Sequence, residues 1–217
     1  MTMAEMRAGG LAGTGERPGA ARPQGAERRG LRPAEVRGGG VKGPFAALDL
    51  GTNNCRLLIA RRVNGHAGDS EFQVIDAFSR IVRLGEGLLQ SGRLSDAAME
   101  RAIAALGACA EKLQRRGVTQ VRSVATEACR RAENGPEFVR RVYDETGLAL
   151  DVITPAEEAR LAVLGCQRLI DPKARRTLVF DIGGGSTEVV LLERVNGGRN
   201  QKPSIRMDCW VSVPWGV

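Results

Sequence analysis

Residues 49–65 read DLGTNNCRLLIARRVNG, and residues 181–197 read DIGGGSTEVVLLERVNG. The two stretches align without a gap. Asp49 falls on Asp181, Gly51 on Gly183, and Arg62-Val63-Asn64-Gly65 on Arg194-Val195-Asn196-Gly197. Each copy runs from an apolar stretch through an Asp and a Gly-rich turn to a second apolar stretch and an Asn-Gly turn. Apolar runs bounded by such turns predict two β-hairpins, each with an acidic residue at the mouth of a tight loop. Two loops of this kind can close on one phosphate from both sides.

Between the copies the texture alternates. Phe45–Leu50 and Cys55–Val63 read as paired strands, and Glu71–Leu84 as a third, broken by Gly85, Gly87 and Gly92. Ser95 then caps a helix whose apolar stripe is Met99, Ala102, Ile103, Leu106, Cys109, Ala110 and Leu113, ending at Gly117. Gln120–Thr126 is a strand, Pro136 opens a short helix that Gly147 closes, and Leu148–Ile153 is a strand. Thr154-Pro155-Ala156-Glu157 is a capping box, and its helix is expected to run to about Ile170. Thr177–Asp181, Thr187–Arg194 and Ser204–Val213 supply three more strands. The pattern predicts an α/β fold of mixed sheets with flanking helices.

The bulk numbers remove several function classes. Among 217 residues, aromatics make up 4%, so the core is mainly aliphatic. Five cysteines stand far apart with no CxxC pair, and are read as small buried hydrophobes of a reducing compartment. A single histidine, His66, falls in an expected turn, which argues against a Ser-His-Asp triad or a His-rich metal site. Residues 1–42 hold eight Lys/Arg and four Glu, so much of the formal net charge of +7 lies in a Gly/Arg/Pro-rich stretch expected to be disordered. A nucleic-acid groove needs clustered charge on folded structure, so no nucleic-acid partner is expected. No apolar run approaches a membrane span, and no membrane association is expected. Gly38 to Gly43 matches GxGxxG in spacing, but a strand and not a helix follows it.

The chemistry concentrates in four places. In Asp181-Ile182-Gly183-Gly184-Gly185-Ser186-Thr187-Glu188, three glycines let backbone N–H groups converge on an anion. Asp181 and Glu188 can hold a divalent cation, directly or through water. Asp49-Leu50-Gly51-Thr52-Asn53-Asn54 repeats that layout with more amide donors, and Thr52 and Asn53 are its phosphate-binding candidates. The stretch Thr126-Glu127-Ala128-Cys129-Arg130 follows an expected strand, where α/β sheets open their ligand crevices. Arg130 there can fork onto a phosphate. In Glu157-Glu158-Ala159-Arg160, the capping box assigns Glu157 to its own helix backbone and leaves Glu158 to orient or deprotonate a water. Taken singly, each piece is also an ordinary turn or a charged helix face.

Taken together and in this order, DLGTNN at 49–54, SVATEACRRAENG at 123–135, EEARL at 157–161 and DIGGGSTE at 181–188 resemble the exopolyphosphatase/guanosine pentaphosphate phosphohydrolase family. That family belongs to the superfamily of actin, sugar kinases and acetate kinase. The resemblance runs from Phe45 to Val217 and implies duplicated ribonuclease H-like lobes with a site between them. It implies hydrolysis of a terminal phosphoanhydride bond with Mg²⁺, on polyphosphate or a guanosine penta/tetraphosphate, in the cytoplasm. By motif, Glu158 is the catalytic base, and Arg130, Gly183, Gly184, Gly185 and Ser186 hold phosphate. Asp49, Asp181 and Glu188 surround the metal and its water. Many relatives carry Ser where this chain has Asn54, which exchanges a hydroxyl for an amide.

The expected organisation is a tail at 1–42, a first lobe at 43–160 and the start of a truncated second lobe at 161–217. Relatives of this kind commonly dimerise, so a homodimer is an expectation. Two other readings remain open: an ATP-dependent kinase or ATPase of the same superfamily, and a non-catalytic binder of polyphosphate or an alarmone.

Overall fold

The computed structural model describes residues 43–64, 70–195 and 204–217. The expected tail at 1–42, Gly65 and Asn196-Gly197 of the two Asn-Gly turns, and His66 lie outside them. Strands β1 (Pro44–Leu50), β2 (Asn54–Asn64) and β3 (Ser70–Ile81) form an antiparallel meander. Strand β4 (Gln120–Ala125) joins the free side of β1 in parallel, and β5 (Asp151–Val152) joins β4. The sheet order is β3-β2-β1-β4-β5. A second, antiparallel sheet holds β6 (Arg176–Ile182), β7 (Thr187–Val195) and β8 (Ser204–Val213) in that order. The helices are α1 (Leu88–Ser91), α2 (Asp96–Arg115), α3 (Glu127–Arg131), α4 (Gly135–Thr146) and α5 (Pro155–Cys166). The fold is α/β and ribonuclease H-like, with β1 at the centre of the first mixed sheet.

Strand alternation decides which face each residue takes. Ala46, Leu48 and Leu50 on β1 lie opposite Ile59, Leu57 and Cys55 on β2, and all six are buried. They meet the stripe on α2, where Met99, Ala102, Ile103, Leu106, Cys109 and Leu113 are buried as their spacing requires. Ser95 caps α2 by accepting the Ala98 N–H at 3.3 Å, a bond worth about 1 kcal/mol at such positions. The intervening residues Asp49 and Arg56 are partners in the β1–β2 ladder and face the other way.

The repeat is structural as well as textual. The Gly51 N–H donates to Asn54 O at 2.8 Å, and the Gly183 N–H donates to Ser186 O at 2.8 Å, closing both turns identically. Both units also carry a bulge at matching positions, Ile59/Ala60 and Leu191/Leu192.

Helix α5 packs Ala159 and Val163 against Val179, Val190 and Leu192 of the second sheet. The expected division at 160/161 therefore passes through a helix that docks on the second unit. The opposite face of that sheet presents Leu178, Phe180 and Ile182, each more than half exposed.

Several expectations need correction. β5 has two residues, not six, because only Val124 and Ala125 of β4 offer it partners. Short α1 and α3 fall where turns were expected, since four or five residues show no helical period. α5 ends at Cys166 and passes into a 3₁₀ turn at Gln167–Leu169. All five cysteines are free, but Cys209 is exposed and Cys166 half-buried, so only Cys55, Cys109 and Cys129 behave as core residues. No helix among the described residues is long and apolar enough to cross a membrane.

Candidate active site

Asp49 ends β1 on the face away from α2, and Asp181 holds the equivalent place on β6. The two line one crevice of about 270 Å³, together with Thr52, Asn53, Glu158 and the glycine loop 183–185. The duplicated loops therefore face each other. They also touch. A Cβ placed on Gly184 would stand 2.6 Å from Cγ and Nδ2 of Asn53, and one on Gly185 would stand 2.5 Å from Oγ1 of Thr52. A side chain at either position would collide with the first loop's side chains as they stand, so the two glycines permit this close approach. The Asn53 Nδ2 amide donates to Val217 O at 2.7 Å, and the Val217 N–H donates to Gly183 O at 3.1 Å, closing one wall.

The first loop is strapped from behind. Asn53 O accepts the N–H groups of Val82 at 2.8 Å and Arg83 at 3.1 Å, and Thr52 O accepts that of Gly85 at 3.0 Å. The strap forces Arg83 to φ 47°, the positive-φ position among the described non-glycine residues. Such a backbone costs about 1–2 kcal/mol for a residue with a Cβ.

Glu158 lies in the first turn of α5, which Thr154 caps by accepting the Glu157 N–H at 3.2 Å. The capping box forms by half. The Glu157 carboxylate does not return to the Thr154 backbone; it takes charged donors from Arg160 (2.6 Å) and Arg122 (2.8 Å), which outbid a neutral N–H. Those partners hold Glu157 down to about 2. Glu158, one residue on, is pushed up to about 7. Burial is the main cause, the charge of Glu188 adds to it, Arg130 opposes it, and Asp181 adds a smaller push. Asp49 is also pushed up, by burial first and by Asp181 in part, against Arg56.

Arg130 is not at the crevice wall. Its Nε donates to Glu127 at 3.1 Å and its Nη2 to Glu127 at 2.6 Å. Nη1 donates to Ile153 O at 2.6 Å and to Glu158 at 3.2 Å, and Nη2 also donates to Glu158 at 3.1 Å. These five bonds use all five guanidinium N–H groups. The expected phosphate ligand is thus engaged by two carboxylates and a carbonyl, and it fixes Glu158.

Glu188 departs from expectation too. It is 1% exposed and accepts the Ser212 hydroxyl at 2.7 Å, so it stands behind the crevice and not in its lining. Among the described residues no three acidic, Cys or His side chains converge as a metal cluster. Asp49 and Asp181 remain, close enough for the charge of one to raise the other. Mg²⁺ commonly takes one or two carboxylates and fills its shell with water and phosphate oxygens, so this pair fits it.

Arg56 and Thr126 line the crevice without having been singled out from the sequence. Arg56 was legible: in a hairpin closed at Gly51–Asn54, the residue opposite Asp49 must be Arg56. Thr126 stood in the stretch read as a crevice edge after β4, but only Arg130 of that stretch was assigned a role there.

The fold pairs two ribonuclease H-like units whose glycine loops face one crevice. The chain belongs to the Ppx/GppA phosphatase family, whose model matches residues 58–207. A solved Ppx/GppA family member from Aquifex aeolicus is 34% identical, with a TM-score of 0.63 over 80% of this chain and 52% of that one. An exopolyphosphatase from Cytophaga hutchinsonii is 28% identical, with a TM-score of 0.68 over 80% of this chain and 51% of that one. The chain spans about half the length of these structures.

Proposed function

We propose that this chain carries the catalytic crevice of a phosphoanhydride hydrolase that releases terminal phosphate from inorganic polyphosphate or guanosine pentaphosphate. The observation that carries the reading is Glu158. It is a carboxylate lining a crevice between two glycine loops, with its pKa raised to about 7, where a general base works best at neutral pH. The terminal phosphoryl group lies between the loops, against the backbone of Gly183, Gly184, Gly185 and Ser186 and the side chains of Thr52 and Asn53. Water attacks phosphorus in line, its proton passes to Glu158, and the bridging P–O bond breaks with its electron pair leaving on the shortened chain. Asp49 and Asp181 would hold Mg²⁺, which when bound supplies positive charge to the phosphoryl oxygens. Arg130 keeps the Glu158 carboxylate aimed, and it reaches substrate only by giving up bonds to Glu127 or Glu158.

Phosphate release from long-chain polyphosphate and from guanosine pentaphosphate, with and without Mg²⁺ and with no acceptor present, tests the reading. Release that Glu158→Gln abolishes is expected. Phosphate transfer seen only with an acceptor alcohol or carboxylate would point instead to a kinase of the superfamily. Binding without turnover would point to a sensor.

A further inference from the structure

A second groove, of about 510 Å³, lies on the face of the first sheet turned away from α2. The ladders build its floor. Ala47 of β1 stands between Leu58 of β2 and Arg122 of β4, and Asp49 stands one row on, between Arg56 and Val124. Leu161 of α5 forms a wall. Asp49 and Arg56 line both this groove and the crevice, so one ladder pair joins the two. We propose that the groove binds an amphiphilic monoanion, an alkyl chain ending in a carboxylate. The chain lies on Leu58, Val124 and Leu161, the carboxylate on Arg56, and the bound molecule competes with phosphate in the crevice for that guanidinium. The binding site stands on this face alone; only the competition rests on the hydrolase reading above.

Three observations support it. First, the floor is apolar and open. Leu58 is 40% exposed on an inner strand, while its neighbours Leu57 and Ile59 are buried on the other face. A groove of this size, apolar and with one convergent cation, has the character of a small-molecule site. Second, α5 is apolar on two sides. Ala159 and Val163 pack on the second sheet, and Leu161, about 200° round the axis from each, lines the groove. Leu164, on the same side as Leu161, is exposed. Third, the charges select the head group. Arg122 is engaged by Glu157 at 2.8 Å and Asp151 at 3.9 Å. Arg56 forms no salt bridge with a described carboxylate, and it is the residue that reaches the crevice. Its guanidinium can take a carboxylate through two parallel N–H bonds. Asp49 beside it repels anions, which favours a head with one charge over one with two.

The test uses the whole chain with decanoate, decanol and decyltrimethylammonium as probes, each below its aggregation threshold, in calorimetric titrations. Decanoate should bind one to one with a negative heat-capacity change, about tenfold more tightly than decanol, and the quaternary ammonium more weakly than either. Leu58→Glu puts a charge on the floor outside the crevice lining, and should weaken decanoate about tenfold or more. Leu58→Thr should weaken it less, and replaces the first variant if thermal melting shows that one unfolded. Arg56→Gln should bring decanoate to within about twofold of decanol. Decanoate should also weaken tripolyphosphate binding to the wild type, and at the same concentration leave Leu58→Glu unaffected. Absence of decanoate binding, equal binding of decanoate and decanol, or binding that the Leu58 variants leave unchanged would each overturn the site. A dimer in sedimentation that Leu58→Glu splits would give the face to a second copy and overturn it as well. Decanoate binding without effect on tripolyphosphate would overturn the competition. A wild-type chain that releases no phosphate strikes the hydrolase reading alone, because the decanoate titration still decides the groove.

Discussion

Replacing Glu158 by Gln should abolish turnover and at the same time stabilise the protein, but only at neutral and alkaline pH. The carboxyl rises from an ordinary 4.5 to about 7, chiefly because it is buried, with 17% of its side chain exposed. Moving it that far makes ionisation cost about 3 kcal/mol more in the folded chain than in the unfolded one. A carboxyl whose folded value stands above its unfolded value binds an extra proton in the folded state between the two. Stability therefore falls as pH rises from about 4.5 to about 7 and is level on either side. Gln keeps the shape and cannot ionise. Urea denaturation should show wild type and variant nearly equal at about pH 4, and the variant ahead by up to about 3 kcal/mol at about pH 8. Wild-type phosphate release, which needs the ionised form, should rise roughly tenfold from about pH 6 to about pH 8. A variant no more stable than wild type at the higher pH, or a rate flat across that interval, would refute the assignment of a desolvated base.

Other perturbations follow from the same contacts. Arg130→Ala removes the cation that opposes the rise of Glu158, so the pH–rate limb should move to higher pH; a profile shifted the other way, measured over the same range, contradicts the clasp. Glu188→Gln should move the limb to lower pH, since the Glu188 charge raises Glu158 while its Ser212 bond can survive. Gly184→Ala should cost about 1–3 kcal/mol in a thermal melt through collision with Asn53, and Asn53→Ala should recover part of that loss. The Ser123 hydroxyl is buried without a partner, so Ser123→Ala should leave stability unchanged or raise it by about 1 kcal/mol in urea titration.

The repeat made the scaffold readable. Matching Asp49 with Asp181 and Gly51 with Gly183 predicted two hairpins, and the structure returns the same turn closure at both. The α2 stripe was readable for a similar reason, because period and burial agree. The state of Arg130 was not readable. Its partner Glu158 lies 28 residues away, and Ile153 O is 23 away, so only the docking of α5 beside α3 brings them together. The retreat of Glu188 was hidden likewise, since Ser212 belongs to β8 and reaches it through a strand pairing that the sequence does not state.

The two hairpins are equal as scaffolds and unequal as chemistry, and one ladder position accounts for much of the difference. Opposite Asp49 stands Arg56, while opposite Asp181 stands Glu188, at the equivalent place in the repeat. The first hairpin thus offers its aspartate a cation, and that cation opposes the rise of Asp49. The second puts an anion at that place, and the anion pushes Glu158 upward from behind the crevice. Exchanging the two residues should separate the effects: Arg56→Glu with Glu188→Arg preserves net charge and both turns. It should raise Asp49, lower Glu158 and carry the activity limb toward acid, with substrate affinity falling as the crevice loses the Arg56 cation. If the doubly exchanged, folded chain kept the wild-type pH profile, the fields of these two positions would not set the site's titration, and the asymmetry of the repeat would need another explanation.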